Sequence, residues 1–284
     1  MPQASPSARL GGPLLVLAAA LATGAWWYAQ PVPSPSLTAA TTVVPPEADE
    51  DGILALRPAA PVLRRLAGEH RVYVLVFPDL ASQAAAMNRV AALVEKAGFA
   101  RDRLATAEEL ASAIAAHGDT PATWYLAHDY DAADLARFFR LAAAGPQPLS
   151  TAEDGLRRQL PPLPETAGAE GFALLTLTAA GTDEPMRAAV LRHEVAHGRF
   201  FTRPAFAARV LALWREGLSA EERDLFTRFL DREGYDTGNE RLLANEAMAY
   251  LAFTPDPRLF RPEAIGLAPE RAAALRLLYA HALE

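Results

Sequence analysis

Residues 191–201 read LRHEVAHGRFF, with two histidines four positions apart and a glutamate directly after the first. In a helix, residues i and i+4 project from one face about a turn apart, so His193 and His197 can aim two imidazole nitrogens at one point. Glu194 is turned about 100° from His193. It cannot easily join the same ligand set, but it can reach a water held there. Two neutral nitrogen ligands and a carboxylate base are what metal-assisted hydrolysis requires. Chance alone yields HExxH in about one chain in a hundred of this composition, so the neighbouring sequence has to support the reading. It predicts a helix, with Asp183 placed as the N-cap, Pro185 in the first turn and Gly198 near the end.

A catalytic zinc site takes three protein ligands and leaves the fourth position for water. The extended motif HExxHxxGxxH fails, because Phe200 and Arg203 stand where glycine and the third histidine belong. A glutamate on a later helix is the other source. In LLANEAMAYLAF, residues 242–253, Glu246 is the sole carboxylate. A carboxylate in so apolar a helix needs a partner. A metal ion is one, and an arginine such as Arg241 is the alternative. Asp183, Asp236 and Glu240 are weaker ligand candidates.

At these residues the chain resembles the gluzincin metallopeptidases. His193, Glu194 and His197 match the zinc-ligand and base positions, and NEAM (residues 245–248) is similar to the start of the third-ligand helix in thermolysin-like enzymes. The resemblance covers residues 186–253. It implies zinc, held by His193, His197 and Glu246, a water nucleophile activated by Glu194, and a peptide or protein substrate. It also implies an edge strand that aligns the peptide by β-augmentation, for which FALLTL (residues 172–177) is the local candidate. Two departures stand out. Glu246 follows His197 by 49 residues, a wide gap, and Tyr250 occupies the position of the family's aspartate, four after the ligand glutamate. Tyr235 or Tyr250 is a candidate to stabilise the transition state, with simple packing as the alternative.

Composition narrows the function classes. The net charge is −7 and no basic stripe is present, so nucleic acid is not an expected partner. The chain has no cysteine. This removes disulfides, thiolate nucleophiles and Cys-rich zinc sites, and leaves histidine and carboxylate as metal ligands. All but one of the 27 basic residues are arginine; the exception is Lys96.

Residues 10–29 carry no charge and are long enough, at about 1.5 Å per residue, to cross a bilayer's hydrocarbon core. Trp26, Trp27 and Tyr28 stand at the far end. Arg9 precedes the segment and no further basic residue follows until Arg57. The charge bias puts the N-terminus inside and the rest outside the cytoplasm. The expectation is a single-pass anchor in the cytoplasmic membrane over residues 1–29; the alternative is a signal peptide cut near Ala25, releasing the protein to the periplasm. Residues 30–60, rich in Pro, Ser and Thr, read as an extended tether.

Residues 61–180 read as an α/β region with strands at 71–77, 122–130 and 171–179 and helices between them. A Pro-rich loop is expected after Gly145. Residues 181–284 read as a mainly helical half that carries the HExxH helix. The expected fold is therefore α/β followed by helices, zincin-like, with the metal helix packed under a small sheet. The expected function is a membrane-tethered, extracytoplasmic zinc hydrolase of the peptidase type. The alternatives are a non-catalytic membrane-anchored binding or assembly protein that keeps the fold, and a metal-free helical domain. His70, His117, His128 and His281 have no ligand-like spacing and read as surface or structural.

Overall fold

The sheet follows from alternation in two apolar strands. A computed structural model describes residues 44–164 and 171–284. In it β3 (Val72–Phe77) and β5 (Ala173–Thr178) pair in parallel. Successive side chains of a strand point to opposite faces. Val72, Val74, Val76, Leu175 and Leu177 therefore join one buried cluster, while Leu75, Phe77 and Leu174 join another. Both faces are covered, which is why the two strands read as continuous hydrophobic runs.

Around this pair the sheet is completed by β1 (Glu47–Ala48), β2 (Val62–Leu66) and β4 (Asp129–Asp131). The order is β1-β2-β3-β5-β4, with β2 parallel to β1 and antiparallel to β3, and β4 antiparallel to β5. The sheet is thus small, mixed and five-stranded. On one face lie α2 (Leu80–Val94), α4 (Ala132–Ala144) and α5 (Thr151–Gln159). α3 (Ala107–Ala116) flanks α2 and begins with a Thr106–Glu109 capping box.

The other face receives α6 (Glu184–Thr202), through Val190, Leu191 and Val195. The opposite side of α6 contributes Ala196 and Phe200 to a helical cluster. That cluster gathers α7 (Pro204–Ala212), α8 (Ala220–Arg232), α9 (Glu240–Met248) and α10 (Pro269–Ala282). Val44–Glu284 forms one compact unit, in which the metal-motif helix is the layer shared by sheet and helices.

Several expectations are revised. The span and signal-peptide readings of residues 1–29, and the tether as far as Val43, lie outside the described residues; among the described residues no helix is long and apolar enough to cross a membrane. Residues 44–60 were expected in the tether, but they fold onto the body. A short α1 (Glu50–Ala55), capped by Asp49, fully buries Ile53. The strand expected over 122–130 shrinks to Asp129–Asp131, because Thr120–Trp124 close a turn through their own backbone. The expected Pro-rich loop contains α5, begun by a Ser150–Glu153 capping box. FALLTL is not an edge: β5 is flanked by β3 and β4, so β4 forms the edge on this side.

Gly198, expected near the end of the helix, has a packing role there. α6 continues to Thr202. A Cβ at Gly198 would lie 2.9 Å from Val72 Cγ1 and 3.3 Å from Leu175 Cδ1, so glycine is what lets the helix approach the sheet. The guanidinium of Arg187 fixes the other end of α6. It is buried and donates to Thr178 O at 2.6 Å and to the carbonyl of Leu54. Gly198→Val should therefore lower stability by about 1–3 kcal/mol, the usual cost of overpacking, although it removes a glycine from a helix. A urea midpoint equal to or above that of the parent would show that the sheet yields at no cost.

Candidate metal centre

α6 places His193 and His197 one turn apart, and α9 crosses it so that Glu246 faces both. The two Nε2 atoms are 3.0 Å apart, and Glu246 Oε2 is 3.9 Å from each. Donors at about 2.0–2.1 Å from a tetrahedral ion lie about 3.4 Å from one another. The triangle therefore needs only small adjustments to close on one. His197 and Glu246 are buried and His193 nearly so.

A hydrogen bond assigns the tautomer of His193. Thr254 Oγ1 donates to Ala249 O at 2.9 Å, so toward His193 Nδ1, 2.7 Å away, it can only accept. His193 is thus protonated on Nδ1, leaving a lone pair on Nε2. His197 Nδ1 makes no hydrogen bond and faces Asp129 Oδ2 at 3.7 Å. A proton on that nitrogen, drawn by the carboxylate, leaves its Nε2 bare as well. Two imidazole lone pairs at 3.0 Å repel unless a cation or a shared proton lies between them. Glu246 Oε2 has no hydrogen-bond partner in the structure, and neither has Glu194 Oε2.

The surroundings point the same way. Burial pushes the Glu246 carboxyl well above its usual range, and the charge of Glu95 adds to the effect. Glu194 is raised by burial, then by Glu246 and Glu95. Asp129 is raised by burial, then by Glu194. Glu95, whose Oε2 accepts from the Tyr125 hydroxyl at 2.7 Å, is raised to about 7, chiefly by burial. Desolvation holds both histidines in the neutral form, His197 at about 4 and His193 well below its ordinary value. Four buried acids and two neutral imidazoles form a site that gains from a cation, and nitrogen with carboxylate oxygen is the donor set of zinc and similar ions.

The remaining candidates separate cleanly. Glu194 and His193 line one wall of a cleft of about 380 Å³, together with Tyr250 and Tyr235. The Tyr250 ring lies 4.8 Å from that of His193. Asp183, Asp236 and Glu240 are not at the site: Asp183 caps α6 and pairs with Arg258, Asp236 pairs with Arg101, and Glu240 with Arg215. Arg241 does not pair with Glu246 but stacks over Phe200 at 4.4 Å. His128 is buried beside Tyr130 and is structural, as its lack of spacing suggested.

Sequence reasoning missed Asp129 and Thr254. The aspartate four residues after Glu246 is absent, yet Asp129 brings a carboxylate to a ligand histidine from the edge strand of the sheet. Nothing in the sequence links position 129 to position 197. Thr254 was within reach: it lies eight residues after Glu246, at the end of the helical run. There α9 widens into a π-helical turn, Ala249–Phe253, a distortion frequent at functional sites.

Partners that orient metal-binding histidines typically change metal affinity by about 10–100-fold. Asp129→Asn and Thr254→Val should each weaken metal binding by that factor while leaving the fold intact. Competition with a chromophoric chelator measures this, and unchanged affinity in both variants would remove them from the site. No family model, curated protein or solved structure matches this chain.

Proposed function

We propose that the protein is a zinc-dependent hydrolase of zincin-like arrangement, acting on peptide bonds. The observation that carries this reading is the pair of imidazole Nε2 atoms at 3.0 Å with Glu246 3.9 Å from each. The adjacent Glu194 lies in the wall of an open cleft. His193, His197 and Glu246 would hold the ion, which when bound polarises a carbonyl and lowers the pKa of water to about 7.

The chain's own groups do the rest. Glu194, raised by its buried and acidic surroundings, is suited to accept a proton from the attacking water and return it to the leaving amine. Asp129 and Thr254 hold the imidazoles with Nε2 forward. Tyr250, packed against His193 and lining the cleft, is the nearer of the two tyrosines placed to donate to the developing oxyanion. Asp129 also answers the main reason for preferring a non-catalytic binding protein, namely the missing carboxylate behind a ligand histidine. A single-pass anchor holding the active unit outside the cytoplasm belongs to the same proposal and rests on residues 1–43 alone.

The test uses the full chain, loaded with zinc, on a peptide library. His193→Ala and His197→Ala should each lose most of the bound metal. Glu194→Gln should retain the metal and lose about 10²–10⁴ in rate. Glu246→Ala should lose activity through weakened metal binding. Full zinc occupancy in both histidine variants would overturn the site. A parent that binds zinc but is as inert as Glu194→Gln on every peptide would return the protein to the binding class.

A further inference from the structure

The cleft that His193 and Glu194 line also receives an ammonium group. Lys96 is 5% exposed, yet it lines the cleft with Trp124, Tyr125 and Tyr235. Its Nζ lies 4.5 Å from the ring centre of Tyr235, 4.6 Å from Tyr125 and 5.4 Å from Trp124. Among the described residues its one hydrogen bond runs to Glu233 O, at 2.6 Å.

The ammonium is held in place through the backbone. Lys96 and Tyr235 form an antiparallel bridge, with Ala97 N donating to Gly234 O at 3.0 Å and Asp236 N to Glu95 O at 2.7 Å. Glu95 accepts from Tyr125, and Asp119 from Thr123 at 3.0 Å; these two, with Glu246 and Glu233, act on the ammonium through space and not by contact. The described residues thus leave a buried ammonium with donors to spare and no ion pair in contact with it. A buried charge without a contacting counter-charge is costly, and here it lines the same cleft as His193. Lysine suits the position, since a compact ammonium fits among three rings where a planar five-donor guanidinium would not. In a chain that otherwise uses arginine, this is the one place that has lysine.

We propose that Lys96 is a specificity-determining residue that binds a carboxylate of the substrate. The cleft would then select short peptides or N-acyl amino acids with an acid group on the far side of the bond that is cut. At about 380 Å³ it accommodates one or two residues rather than a long segment. The carboxylate comes either from a free C-terminus or from an Asp or Glu side chain. Both satisfy the same ammonium, and the three aromatic faces contact the apolar part of the residue. As a statement about cleavage it rests on the hydrolase reading above; as a statement about binding it does not.

Because Lys96 is the sole lysine, the full chain labelled with ¹³C-lysine gives one side-chain signal, which reports on the ammonium directly. The zinc-loaded Glu194→Gln chain is titrated with acetyl-Ala-Ala, with its C-terminal amide, and with acetyl-Ala-Asp-amide. We expect the free acid, the Asp amide or both to shift the Lys96 signal and to bind about tenfold or more tighter than acetyl-Ala-Ala-amide, as a charge-assisted hydrogen bond does. Which acid binds tells terminal from side-chain recognition. Lys96→Met should erase the preference and leave affinity for acetyl-Ala-Ala-amide and zinc content unchanged. In the turnover assay of the parent, the same loss should appear in KM and not in kcat. Equal affinities for acids and amide, or an unmoved Lys96 signal on tight acid binding, overturn the proposal even if Lys96→Met does not fold. So does an acid preference that survives in Lys96→Met, since the metal would then be its reader. An acid preference with no hydrolysis of any peptide by the parent would fail the hydrolase reading alone.

Discussion

Four carboxyl groups, Glu95, Asp129, Glu194 and Glu246, are gathered in the interior around two neutral imidazoles, and the rest of the molecule is arranged around that constraint. Burial makes each acid resist ionisation; Glu95 raises the other three further, and Glu246 adds to the effect on Glu194 and Asp129. Hydrogen bonds offset part of this cost, as Tyr125 does for Glu95. A dication at the ligand triangle offsets far more, because it meets the Glu246 charge directly and lies close to its neighbours. Such an ion would also tie α6 to α9, and through Asp129 would couple both to the sheet. Metal affinity and stability are linked for that reason.

Holding two imidazole nitrogens at 3.0 Å requires a stiff support. α6 supplies it by being packed on both long sides. Gly198 removes the side chain that would separate helix from sheet, and Arg187 ties the first turn to the carbonyls of β5 and α1. At the far end Glu69 accepts from Arg199 and Arg203, fixing the last turn to the loop before β3. The ligand histidines lie in the middle of this clamped helix, where least displacement is allowed. Binding sites of this kind depend on such preorganised support.

The cleft is lined by His193 and Glu194 and by an ammonium among three rings, the latter fixed by a backbone bridge between the turn after α2 and the turn after α8. The π-helical turn after Glu246 shapes the His193 side. It swings Tyr250 against His193 and brings Thr254 to Nδ1, placements that a regular helix would shift by one residue.

The elements legible in the sequence are those with a local signature. The helical spacing of His193 and His197, the apolar runs at β3 and β5, and the N-cap at Asp183 are short-range patterns, and each formed where it was read. Glu246 was legible because an apolar helix rarely carries one unexplained carboxylate. The elements missed have weak local patterns. β2 is interrupted by Arg64 and Arg65, α5 is polar, and α1 is a short helix in a Pro-rich stretch that becomes ordered only by burying Ile53. Residue type and spacing along the chain thus determined which groups could bind a metal and act as base. Tertiary structure alone decided what stands behind them. Asp129 reaches His197 across 68 residues of sequence, and Lys96 meets Tyr235 across 139. No local pattern carries such pairings, because they arise from how the layers pack on α6.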